Sequence, residues 1–177
     1  LRAARAIASR TQQRVTLLGV FAPAPLVGAE IQVAVATRSG SDQRLSIEMG
    51  ISDQLERVGV RDWPVEIVMG NPAVMIAQTA ATLGAEMVIM GLGGHELVDR
   101  IFGDEMVLKV LRLGTTPVLA VAPSFHALPC HAVAAVDFSA SSGRALELGG
   151  KLLASPGRIS MVHVAQPGRD PVSWNAR

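Results

Sequence analysis

The sequence is poor in aromatic residues, has a single cysteine and contains no run of like charges. Phe, Trp and Tyr make up 3% of its 177 residues and apolar residues make up 49%, so an aliphatic core is expected. Cys130 has no second cysteine with which to form an internal disulfide. This favours a reducing compartment, and we expect a cytoplasmic protein.

Two classes of partner are excluded by what the chain lacks. The formal net charge is +1 and the arginines are scattered, so no basic stripe is present to follow a nucleic-acid backbone. No apolar run reaches the roughly 20 residues that a transmembrane helix needs, and no signal peptide is recognisable. We therefore expect neither nucleic acid nor a membrane as a partner.

Short apolar runs alternate with helical patterns along most of the chain. This alternation implies right-handed crossovers and a parallel sheet. The sequence predicts an α/β fold, a flavodoxin-like or Rossmann-like three-layer parallel sheet with helices on both faces. The predicted strands are 15–21, 64–69, 87–90 and 118–121, and the predicted helices are 1–12, one beginning at Asp42, one from Pro72 towards Gly84, and 104–113.

Local signals mark several of these boundaries. Asn71 and Pro72 are typical of an N-cap and a first helical residue, and Gly84 is typical of the position after a helix end. Asp42 and Asp104 are interpreted as the N-caps of two other helices. Between the third strand and Asp104, residues 91–103 are predicted to form a glycine-rich loop.

A segment near the start of the chain is repeated near its end. Arg14–Val20 and Arg158–Val164 match class for class at an offset of 144 positions, and a proline follows each by three residues. We interpret residues 1–124 as a first domain, 125–130 as a linker and 131–177 as the start of a second. The first domain's opening strand is expected just before Leu1, with its counterpart at 131–136, and we expect truncation at both ends.

Four motifs resemble those of the universal stress protein family. The resemblance covers nearly the whole chain, and it implies a flavodoxin-like fold and a non-enzymatic stress-response module with tandem domains. It also implies dimers, or an intrachain pseudo-dimer, formed through the strand Val118–Val121. The motifs are Met90-Gly91-Leu92-Gly93-Gly94 with Gly103, Val107–Arg112, Pro117–Val121, and Asp137-Phe138-Ser139.

The family's nucleotide-binding members imply an ATP site with Mg²⁺ as a candidate ion. Here the phosphate loop is degraded, because eight rather than nine residues separate Gly94 from Gly103, and Asp104-Glu105 replaces a small hydroxyl residue. Like charges 4 Å apart cost about 4 kcal/mol at an effective dielectric of 20, unless Mg²⁺ bridges them. The implied ligand-binding residues are Met90, Gly91, Gly94, Gly103, Asp104, Asp137 and Ser139.

Other functions stay open from the sequence. One is a nucleotide-independent dimerising or regulatory interaction domain, and another is the soluble regulatory domain of a larger protein. A nucleotide-hydrolysing enzyme that uses Asp104 lacks a visible base, and His95 beside Glu96 lacks a nucleophile. His126, Cys130 and His131 lack the paired spacing of a metal site. We predict no catalytic residue and no metal-binding residue.

Overall fold

The computed structural model describes residues 1–22, 32–92 and 97–164, with the side chains of 32–40 and 97–104 left out of the description. Five helices and six strands lie within these residues. No helix among them is long and apolar enough to cross a bilayer. In chain order, the elements are α1 Arg2–Thr11, β1 Leu17–Phe21, α2 Gln32–Val58, β2 Val65–Met69, α3 Pro72–Thr82, β3 Val88–Gly91, α4 Leu97–Leu113, β4 Val118–Val121, β5 His131–Ala135, α5 Ala140–Leu152 and β6 Arg158–Val162.

The strands form three parallel pairs, β1–β2, β3–β4 and β5–β6. Parallel pairing with helical connections confirms the predicted α/β class. The first two pairs share a helical layer, because α3 packs against β1 and against α4. In the part of the chain that the structure describes, no strand is hydrogen-bonded to both β1 and β3. The expected continuous sheet is therefore divided at that place.

Helix α3 begins and ends where its local signals predict. The Asn71 side chain accepts hydrogen bonds from the backbone N–H groups of Ala73 and Val74, at 3.1 and 3.4 Å, and Pro72 is the first helical residue. Gly84 has a φ of 59°, the left-handed conformation that glycine adopts without strain. Ala73 and Ala80 are buried, so this helix packs closely against its neighbours.

Two other helices begin earlier than predicted. Helix α2 starts at Gln32 rather than at Asp42, and α4 starts at Leu97 rather than at Asp104. Both aspartates therefore lie inside helices rather than at an N-cap position. Gly40 and Gly103 precede them by two positions and one position, but a glycine inside a helix costs only about 1 kcal/mol relative to alanine, so neither glycine ends a helix. Leu97 and Ile101 stand four positions apart, the spacing of one helix face.

The core of the described residues is small and aliphatic, as the composition predicts. Helix α1 contacts α5, and Arg10 Nε donates a hydrogen bond of 3.2 Å to the carbonyl oxygen of Lys151. The Arg5 guanidinium also bonds the carbonyl of Val58 at the end of α2. The buried apolar side chains are Ala3, Ala4, Ile7, Ala73, Ala80, Val107, Val110 and Leu153.

The two segments of the predicted repeat have similar local architecture. Five residues, 12–16, connect α1 to β1, and five residues, 153–157, connect α5 to β6. Their ladders differ, since β1 pairs with the later strand β2 whereas β6 pairs with the earlier strand β5. The division into two domains stays a prediction.

Candidate functional site

A compact turn follows β5 and leads into α5. The backbone N–H of Ser139 donates to Asp137 Oδ1 at 3.0 Å. Ser139 is the N-cap of α5, and its Oγ accepts from the N–H of Ser142 at 3.1 Å. The Ser142 hydroxyl donates back to the Ser139 carbonyl at 3.0 Å. Asp and Ser side chains commonly bond nearby backbone groups in this way, so the turn is encoded locally.

The Asp137 carboxyl is held in its ionised form although it is exposed. The Ser139 side chain, the Ser139 backbone N–H and the Ser142 side chain together lower the pKa of Asp137 from 3.8 to about 2. Hydrogen bonds to the charged form of a carboxyl group have this effect. Asp137 is therefore a permanent negative charge and hydrogen-bond acceptor at neutral pH.

Two residues that the sequence interpretation did not single out as site residues complete this turn. Phe138 has a φ of 62°, which is unusual for a bulky side chain. His163 follows β6, and its Nδ1 lies 2.7 Å from the carbonyl oxygen of Val136. The rings of Phe138 and His163 have centroids 4.5 Å apart and are tilted by 43°. Only the pairing of β5 with β6 places these residues together, so no local signal predicts their contact.

The end of β3 presents an open stretch of backbone. Met90 is half-buried and Gly91 is exposed, and these residues pair with Ala120 and Val121 of β4. The N–H of Leu92 donates to the carbonyl of Val121 at 2.8 Å. A Cβ at Gly91 would meet none of the described atoms within 4 Å. The backbone is thus open to a neighbouring group at this point.

The rest of the predicted phosphate loop is placed differently from the expectation. Gly94, His95 and Glu96 lie outside the described residues. Gly103 and Asp104 lie inside α4, the seventh and eighth residues from its start at Leu97, so neither belongs to a loop. The orphan N–H groups that bind phosphate occupy only the first turn of a helix, and Asp104 is beyond that turn.

The candidate magnesium ligand Glu105 already has a cationic partner. Its Oε1 lies 2.7 Å from Lys109 Nζ, one turn further along α4. Both side chains are about half-exposed, so the pair is weak but competes for the carboxylate. Glu105 therefore fits poorly as a dedicated Mg²⁺ ligand.

The residues around Cys130 do not assemble a metal centre. Cys130 is exposed, and His131 Nε2 lies 2.9 Å from the hydroxyl oxygen of Ser160 on β6. Within 1–22, 32–92 and 97–164, no three His, Cys, Asp or Glu side chains are grouped to hold a metal ion.

The comparison with known families agrees with the parallel α/β architecture. Residues 1–122 match the universal stress protein family. No curated protein matches the chain. The family has a flavodoxin-like α/β fold, the class seen in the parallel strand pairs described above. Because the match spans more than half of the 177 residues, the chain belongs to the universal stress protein family.

Proposed function

We propose that this stress-response module binds an adenine nucleotide, ATP with Mg²⁺, without turning it over. The observation that carries the proposal is the exposed, ionised carboxylate of Asp137 at the end of β5, held by Ser139 and Ser142. Ligands of open parallel sheets gather at the carboxyl ends of the strands, where a carboxylate accepts hydrogen bonds from ribose hydroxyls. The family membership supports the same kind of ligand.

The end of β3 lies in the first predicted domain and Asp137 in the second, so we assign the end of β3 to a separate nucleotide site. Met90 supplies a half-buried apolar surface, and the exposed backbone at Gly91 leaves room for a ligand to approach. Gly94 and Gly103 belong to the proposal through the family motif alone. Asp104 lies beyond the first turn of α4, so we assign the Mg²⁺ to the phosphates of the nucleotide rather than to α4.

The proposed role is binding rather than catalysis. A carboxyl group with a pKa of about 2 is a weak general base at neutral pH, because efficient proton transfer needs a pKa near the working pH. The imidazoles of His131 and His163 both take part in structural hydrogen bonds. We expect ATP to bind and dissociate unchanged, in a cytoplasmic setting where it is abundant.

Calorimetric titration with ATP and Mg²⁺ tests this proposal. We expect saturable binding to the wild type and about tenfold weaker binding to Asp137→Asn, since a hydrogen bond to a charged group contributes about 1.5 kcal/mol or more. The matched control is Asp53→Asn, which removes an exposed carboxylate from α2. Released phosphate, measured in parallel, should stay at the background level.

Two results would contradict the proposal. One is a wild-type affinity no better than about 1 mM, and the other is equal affinity of the wild type and Asp137→Asn. Either result would favour the nucleotide-independent interaction module. That alternative draws on β4, whose outer edge is paired with no strand in the described residues.

A further inference from the structure

The hydrogen-bond ladder between β5 and β6 ends at an imidazole. The N–H of Val136 donates to the carbonyl of Val162 at 2.8 Å, which is the last backbone bond of the pair. In a continuing parallel ladder, the Val136 carbonyl would accept from the backbone N–H of residue 164. Instead, His163 Nδ1 lies 2.7 Å from that carbonyl oxygen. The side chain of the residue that directly follows β6 therefore holds the point at which the chain leaves β5.

The chemistry of this bond defines the state of the imidazole. A carbonyl oxygen only accepts hydrogen bonds, so Nδ1 of His163 must carry the proton. The imidazolium form keeps a proton on the same nitrogen, so the bond persists in both charge states. The contact is thus a permanent tie between β6 and the end of β5.

The same imidazole touches the residue with the strained backbone. Phe138, with a φ of 62°, stands between Asp137 and Ser139, whose N–H donates to Asp137 Oδ1. The φ and ψ angles of Phe138 together set the direction of that N–H relative to Asp137, and hence how the carboxylate is oriented. The Phe138 ring contacts the His163 ring, with centroids 4.5 Å apart. A left-handed bulky residue persists only where its surroundings hold it in place.

We infer that His163 is a positioning residue: from its place directly after β6 it fixes the backbone of Val136 and the ring of Phe138, and so orients the Asp137 carboxylate towards a nucleoside. The identity of the ligand rests on the function proposed above, whereas the orientation of the carboxylate does not. His163 acts through its neighbours and is assigned no contact with the ligand.

Three substitutions separate the two contacts of the imidazole. His163→Asn keeps an N–H close to the position of Nδ1 but removes the ring, His163→Phe keeps a ring but removes the donor, and His163→Ala removes both. The matched control is His131→Ala, which removes an imidazole and its bond to Ser160 at the opposite end of the same strand pair. Carbon-detected NMR titration of the Asp137 carboxyl group and calorimetry with ATP are the two measurements.

We expect His163→Ala to raise the pKa of Asp137 from about 2 towards 3.8 and to weaken ATP binding about fivefold. His163→Asn and His163→Phe should each restore part of both properties. His131→Ala should lower the thermal unfolding midpoint without changing the pKa of Asp137. This contrast distinguishes positioning from a general effect on the stability of the pair.

The inference is overturned if the pKa of Asp137 is unchanged in both folded variants, His163→Ala and His163→Phe. It is also overturned if His131→Ala shifts that pKa equally, because the effect would then be one of overall stability. If the wild type binds no ATP while the pKa responds as expected, the positioning role stands and only the proposed ligand is wrong.

Discussion

The carboxylate of Asp137 accepts a hydrogen bond from the N–H of Ser139, and the nearby side chains of Ser139 and Ser142 lower its pKa further, although the carboxylate is exposed to solvent. The turn and the first residues of α5 hold these groups in place, so the groups lose this arrangement when the chain unfolds. The proton affinity of this carboxyl group must therefore differ between the folded and unfolded states. Such a difference makes stability depend on pH.

The sign of that dependence follows from the lowered pKa. In the folded protein the pKa is about 2, below the ordinary value of 3.8, so the unfolded chain binds the proton first as pH falls. The stabilising contribution is complete above about pH 4 and is lost between about pH 4 and pH 2. We expect Asp137→Asn to flatten this part of the pH profile of the urea midpoint.

The control for this measurement is Asp53→Asn on α2, where the carboxylate lies on an exposed helix face beside Arg57. The urea midpoint of Asp53→Asn should fall between about pH 4 and pH 2 as steeply as that of the wild type. Parallel profiles for the wild type and Asp137→Asn would contradict the assigned hydrogen bonds.

The stability of helix α3 depends on hydrogen bonds at its amino-terminal end as well as on its packing. Asn71 satisfies two backbone N–H groups that have no intrahelical partner, and Pro72 has no N–H to satisfy. Since α3 packs against both β1 and α4, its amino-terminal turn supports both of the first two strand pairs. A weakened cap should therefore affect the β1–β2 and β3–β4 pairs together.

We expect Asn71→Ala to lower the free energy of unfolding by about 1 kcal/mol, the usual cost of losing an N-cap. Asn71→Asp retains the accepting oxygen and should stay within about 0.5 kcal/mol of the wild type. Urea unfolding followed by circular dichroism measures both variants. Equal losses in the two variants would show that the cap hydrogen bonds in the structure contribute nothing.

Over the whole molecule, β4 has an edge available for a partner. It pairs with β3 along one side, and no described strand pairs with the other. The N–H of Val88 donates to the carbonyl of Pro117, and the N–H of Leu92 donates to the carbonyl of Val121. Met90 is opposite Ala120 in the same ladder. In a parallel pair with this register, the Ala120 N–H points away from β3. We propose that a second copy, or a second domain, pairs along this edge.

Ala120→Pro tests this pairing without breaking the β3–β4 ladder, because proline is tolerated where the missing N–H faces outwards. We expect the wild type to be a dimer by light scattering and Ala120→Pro to be a monomer. Ala120→Ser keeps the N–H and should stay dimeric. A monomeric wild type, or a dimeric Ala120→Pro with unchanged circular dichroism, would remove β4 from the interface.

The helices and strands whose bounds agree with the prediction are those marked by neighbouring residues in the sequence. Val118–Val121 is a short apolar run directly after Pro117, and the structure has a strand with these bounds. The predicted starts of α2 and α4 are too late, because an Asp within two positions of a glycine resembles an N-cap equally well inside a helix. Nothing short of the packed structure distinguishes these cases, since the cost of an internal glycine is small compared with packing energies.

The sequence by itself determined the α/β class and the limits of α3, because apolar periodicity and helix capping act over a few neighbouring residues. Only the tertiary structure decided which strands pair, that Gly103 and Asp104 lie within a helix, and that His163 meets Val136 and Phe138. These relations join residues as far apart in the chain as Leu17 and Val65, or depend on competing helix starts. Their free energies come from packing and strand register rather than from local propensity.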